Sequence, residues 1–155
     1  MLHRSNCHTF SDSLISPATE MSNLSEWKPE YSVGNTTLDS QHRKLLELCH
    51  RVSHYQCDGT KSSIDNFHSI LSELAFYADQ HFALEEDVLH RVGFPDLDQQ
   101  IQDHDAYREW LTEFLFTTMD GKVDKSALQE YLEQWWIGHI LDSDMQYSDY
   151  FKPKN

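Results

Sequence analysis

Long apolar runs are missing from this chain of 155 residues: none approaches the length of a membrane-spanning helix, and the first twenty residues, MLHRSNCHTFSDSLISPATE, lack the apolar stretch of a signal peptide. Positive charge is scarce. Twelve Lys and Arg stand against 26 Asp and Glu, a formal net charge of −14. Counterion release on nucleic acid needs a basic surface, as does adhesion to an anionic membrane, so neither partner is expected. Solubility explains the acidic excess more simply than a cationic partner, and no feature of the sequence names a protein partner. Cysteine is sparse too. Cys7, Cys49 and Cys57 are odd in number and form no CxxC pair, which fits neither a disulfide framework nor a cysteine zinc site. Cys49 falls on an apolar helical face and reads as a small core residue rather than a reactive thiol. A reducing compartment follows, and the cytoplasm is the expected location. No phosphate-binding glycine loop, nucleophile elbow or catalytic-triad spacing is visible, and no alternating strand pattern of useful length.

What is present is helical periodicity. Hydrophobic residues make up 39% and charged residues 25%, ordinary for a soluble domain, and 155 residues suffice for one core. Residues 1–24 are polar and aperiodic and read as a disordered leader, with Met21 a possible original start; residues 25–155 form the folded domain. From Trp27 to Leu38 the chain reads as an extended arm whose rings pack on the rest. Four helical stretches follow, at about 39–56, 62–91, 96–119 and 125–147. The first carries Leu38, His42, Leu45, Cys49 and Val52 on one face. The second carries Phe67, Leu71, Leu74, Ala78, His81, Glu85 and Val88, the third Leu97, Ile101, His104, Leu111 and Phe114 or Leu115, the last Leu128, Leu132, Trp135 and His139. Asp58-Gly59, Gly93 with Pro95, and Asp120-Gly121 punctuate them. Short connections favour antiparallel neighbours: an all-α, up-down-up-down four-helix bundle with an N-terminal extended arm.

Chemistry enters with His42, His81, Glu85, His104, His139 and Asp144. His81 and Glu85 are one helical turn apart and share the core face, where a carboxylate must be neutral, paired or metal-bound. Any one of these histidines alone is a satisfied core residue by default. Four on four inward faces, with two acids, point to a metal site, and mixed nitrogen and oxygen donors suit iron better than magnesium or calcium. His139 and Asp144 fit less easily, because five residues rotate the acid about 140° from the histidine at ~100° per residue. Asp142, three residues from His139, is a rival. His50, His54 and His68 lie off the core faces and read as solvated, His3 and His8 fall in the leader, and Tyr77, Trp110, Phe114 and Trp135 read as packing.

The segments Tyr31-Ser32-Val33-Gly34, Asp39-Ser40-Gln41-His42, His81-Phe82-Ala83-Leu84-Glu85-Glu86, Phe94-Pro95, His104 with Tyr107, and Trp135, His139-Ile140, Asp144 and Tyr147 occur in a familiar order. From Trp27 to about residue 150 the chain resembles the hemerythrin-like family, in particular its single-domain bacterial members. That resemblance implies a non-haem di-iron centre, two iron ions joined by an oxo or hydroxo bridge, binding dioxygen reversibly for carriage, storage or sensing. It implies His42 and His81 on one iron, which keeps an open position for oxygen, His104 and His139 on the other, and Glu85 and Asp144 bridging. Two departures stand out. The family has a histidine four residues before the position of His104, where this chain has Gln100, a weaker amide donor. The amide or a water completes that shell, or the iron binds weakly, or it too has an open position; His90 is a poor substitute. Trp136 stands where the family has a leucine against the oxygen pocket; it narrows that pocket, or else faces outward or packs between helices. Gln100 keeps two alternatives alive: a di-iron oxidative enzyme acting on peroxide or nitric oxide, and a bundle holding one metal or none.

Overall fold

The computed structural model describes residues 26–120 and 122–154, so the expected leader, with Cys7, His3 and His8, lies outside the described residues. A single 3-10 turn, Pro29–Tyr31, interrupts the arm. Four helices follow: α1 (Thr36–His54), α2 (Lys61–Val92), α3 (Leu97–Thr117) and α4 (Lys125–Gly138). The last differs from expectation. α4 stops at Gly138, and the chain continues as a π turn, His139–Ser143, and a 3-10 segment, Asp144–Phe151.

The ends are set by local chemistry. Asn35 accepts from the backbone N–H groups of Thr37 and Leu38, Thr60 from Ser63, and Asp124 from Ala127, each satisfying donors that the first turn leaves open. Gly93 closes α2 at a φ of 72°, a left-handed conformation that costs a residue with a Cβ. Asp39 buckles the arm onto α1, accepting from the Val33 N–H at 2.8 Å and the Ser32 hydroxyl at 2.6 Å.

α1 packs between α2 and α4, and α3 packs on α2, which makes the four-helix bundle. α3 meets α4 largely through big rings: Trp110 stacks on Tyr131 at 3.5 Å, and Tyr107 meets Trp135 at 4.4 Å. The core has two parts. The larger is built around Leu45, Phe67, Leu71, Phe82, Leu132 and Trp136; the smaller joins Val33, Leu38, Leu89, Phe94 and Tyr147. Most expected core positions are buried, but Val88, Leu97 and Ile101 are half-buried, and Leu89 takes the place of Val88. Trp135 is half-buried as well, and its neighbour Trp136 is the fully buried tryptophan. Between the two apolar clusters lies a polar layer.

Candidate metal centre

Every donor expected from the sequence sits in that layer. His42, His81, Glu85, His104 and Asp144 are fully buried, and His139 is 6% exposed. α1 supplies His42 between Leu38 of the smaller cluster and Leu45 of the larger. α2 supplies His81 and Glu85 one turn apart, and α3 supplies His104. Two groups of donors form, each able to surround one ion: His42, His81, Glu85 and Asp144, and then Glu85, His104 and His139.

The carboxylates divide between the groups atom by atom. Glu85 turns Oε1 toward His42 Nε2 (3.9 Å) and His81 Nε2 (3.8 Å), and Oε2 toward His104 Nε2 (3.0 Å). Asp144 turns Oδ2 toward His42 Nε2 (3.2 Å) and Oδ1 toward His139 Nε2 (3.1 Å). Each acid thus offers one oxygen to each pair of imidazoles, the arrangement of a bridging carboxylate. His104 Nε2 and His139 Nε2 also face one another at 3.2 Å.

A π turn solves the spacing of His139 and Asp144. The Asp144 N–H bonds back to the His139 carbonyl, an i→i+5 connection that widens the helix by one residue. Five residues then make a full turn, and the acid comes to stand under the histidine. The rival Asp142 points to solvent.

Three further residues matter that periodicity alone does not reveal. Gln41 Oε1 meets His81 Nδ1 at 2.9 Å, Glu86 Oε1 meets His104 Nδ1 at 2.8 Å, and Asp103 Oδ2 lies 4.0 Å from His139 Nδ1. A carboxylate only accepts, so Glu86 keeps the His104 proton on Nδ1 and leaves the Nε2 lone pair aimed inward, the tautomer a metal needs. α1 thus supports the histidine of α2, and α2 that of α3, while Asp103 stands near His139 without a hydrogen bond to it. The signal in the sequence is adjacency, since Gln41, Glu86 and Asp103 each neighbour a donor in the chain. Tyr147 donates its hydroxyl to Glu85 Oε1 and fixes that carboxylate.

Without a cation the layer is electrostatically awkward. Burial, and then His42, push the His81 imidazole well below its ordinary range, so it is neutral. Burial works against the Asp144 carboxylate, but His139 and His42 beside it outweigh that and hold it far below the usual range. Burial likewise opposes a charged His139, and Asp144 reverses the shift and raises it. His42 Nε2, His81 Nε2, Glu85 Oε2 and both Asp144 oxygens are buried without a satisfactory hydrogen bond. Buried polar atoms left open are costly, and convergent imidazole and carboxylate donors fit first-row metal ions.

The wall of the layer is aromatic. Phe82 stacks on His104 (4.0 Å) and on Trp136 (5.6 Å), and Trp135 stacks on His139 (4.4 Å). Trp136 does not face outward: its ring centre is 6.1 Å from that of His81, and its Nε1–H donates to the Tyr107 hydroxyl at 3.1 Å. Gln100 is 3% exposed, and its Oε1 has no partner. The other histidines stand apart: His54 and His90 are exposed, His50 stacks on His54, and His68 pairs with the Thr118 hydroxyl. Cys49 is fully buried, and burial raises its thiol pKa far above the ordinary value.

A bundle whose four helices converge buried histidines and split carboxylates has known counterparts. The family model described as the hemerythrin HHE cation binding domain matches residues 33–150, and the chain belongs to the hemerythrin family. Among single relatives, a bacteriohemerythrin of Clostridium acetobutylicum is 30% identical over 128 residues, spanning 79% of this chain and 98% of its own. A hemerythrin-like protein of Naegleria gruberi is 31% identical over 130 residues, spanning 84% and 96%. A crystal structure of a leucine-to-phenylalanine mutant shares the fold, with a TM-score of 0.73 at 19% identity over 83% of this chain and 97% of the other.

Proposed function

We propose that the buried layer holds two iron ions, one at His42 and His81 and one at His104 and His139, with Glu85 and Asp144 shared, and that it binds dioxygen reversibly. The observation that carries this reading is the division of both carboxylates, one oxygen to each pair of imidazoles. When bound, a ferrous pair supplies the two electrons that dioxygen takes up and recovers them on release. The protein does the rest. Neutral imidazoles and only two acids keep negative charge low, which disfavours the high oxidation states that oxidative chemistry needs. Phe82, Trp136 and Leu45, all buried, wall off the His42 and His81 side of the layer with apolar groups. Tyr147 holds Glu85, and Gln41 and Glu86 hold the His81 and His104 imidazoles in place.

Residues 25–155 make up the domain that carries this function, with 1–24 as a leader. Cys49 and Cys57 are both free, in keeping with a reducing cytoplasm, and no helix among the described residues is long and apolar enough to cross a membrane. The test is iron content together with an optical spectrum cycled between air and argon. Carriage predicts two irons per chain and a charge-transfer band that appears in air and disappears under argon over many cycles. A band that decays within one turnover with product release supports peroxide or nitric oxide chemistry instead, and no oxygen-dependent band sinks the carrier.

A further inference from the structure

Gln100 lines a small polar cavity at the end of the bundle from which α3 starts. It lies on α3 one turn before His104, almost fully buried, with Oε1 unpartnered. The cavity, about 30 Å³, is lined chiefly by Asp96, Gln99, Gln100, Asp103, Ser143 and Gln146. A water needs roughly 10–15 Å³ of such space, so the cavity admits a water or a partly dehydrated cation. Its two carboxylates face no lysine or arginine in the lining, and the inner one, Asp103, reaches to 4.0 Å from His139 Nδ1. His42 and His81, in contrast, sit behind Leu38, Leu45, Phe82 and Trp136, none of them exposed.

We propose that this cavity is the port through which the ion at His104 and His139 exchanges with divalent cations of the solvent, and that Gln100 makes it the labile ion of the two. The proposal rests on the two-ion reading above. An acidic, polar lining attracts a divalent cation and replaces part of its water shell on the way in. At the inner end Gln100, one turn before His104, offers only an amide oxygen, and a neutral oxygen donor holds borderline metals more weakly than nitrogen does. The result is one ion that stays and one that comes and goes.

Chelator kinetics test this. The ferrous protein, loaded to two equivalents under argon, is mixed with excess of a colorimetric ferrous chelator. Half the iron is expected to leave at least about tenfold faster than the rest, in line with what the loss of a supporting donor costs a metal site. Zinc-loaded protein is expected to show the same two phases, which removes redox chemistry from the readout. Gln100→His slows the fast half toward the slow one, and Gln100→Glu does the same should the imidazole disturb packing. Asp96→Asn, at the exposed mouth and outside the donor set, slows the fast phase without changing stoichiometry. A single phase for both ions, or a fast half that persists in both Gln100 variants, overturns the proposal. An unchanged fast rate in Asp96→Asn overturns the port. If the native chain binds one equivalent and Gln100→His binds two, the weak position is confirmed while the two-iron reading of the native chain falls; if nothing binds, both fall.

Discussion

At the scale of single residues, Glu85 is the most consequential. Its two oxygens face different imidazole pairs, and its one hydrogen bond is from Tyr147, so a cation between the imidazoles would relieve much of the cost of burying it. Glu85→Gln keeps the shape and removes the charge. Metal content is expected to fall by more than half, while the metal-free variant unfolds at the same or a higher temperature than metal-free wild type. Iron retention at the native level would refute the bridging role. Trp136 works in the opposite sense, by volume. Trp136→Leu leaves a cavity beside His81 and takes the donor from the Tyr107 hydroxyl, costing roughly 2–3 kcal/mol. Azide is expected to bind faster in that variant, measured by stopped-flow absorbance; an unchanged rate would mean the indole does not limit access. The four histidines and Glu85 were legible as candidate donors because polar groups recurring on four apolar faces have few explanations, whereas Asp144 came only with the family resemblance. Gln41 and Glu86, which meet His81 and His104, were not legible, since they sit just off the core faces and act on a different helix.

At the scale of elements, the C-terminal turn matters most. Helical periodicity reads the last stretch as one α-helix to Tyr147 and leaves Asp144 far from His139; the π turn reconciles them. Sequence patterning could not show this, because a single widened turn barely alters the apolar rhythm on either side. Trp135 and Trp136 both fit the stripe of Leu128 and Leu132, three and four residues on; Trp136 is the one that stacks parallel on Phe82 and donates its indole N–H to the Tyr107 hydroxyl, and it is the buried one. Gly138 directly precedes the π turn with ordinary helical φ, and a Cβ there would meet nothing within 4 Å. Gly138→Ala is therefore expected to stabilise the fold by roughly 0.5–1 kcal/mol in denaturant titration. A loss of stability or metal would show instead that the wide turn needs a glycine at its start.

At the scale of the molecule, the four-helix plan was legible from its apolar faces, whereas the way the site is spread over it emerges only in three dimensions. The candidate donors run from His42 to Asp144, across most of the described chain, and come from α1, α2, α3 and the turns that follow α4. Ions bound only by the folded chain shift the folding equilibrium by mass action. Stripping iron with a chelator is expected to lower the denaturant midpoint, and restoring divalent iron to raise it again; identical midpoints would place the donors elsewhere. The shared carboxylates have one more consequence. An ion gripped from α1 and from the segment after α4 would work as a reversible clasp on the folded chain, so that any opening that parts those two distant stretches must first release it. Metal supply in the surroundings would then become a dial on the protein's lifetime: a starved chain opens to proteases more often, and a replete one stays fastened.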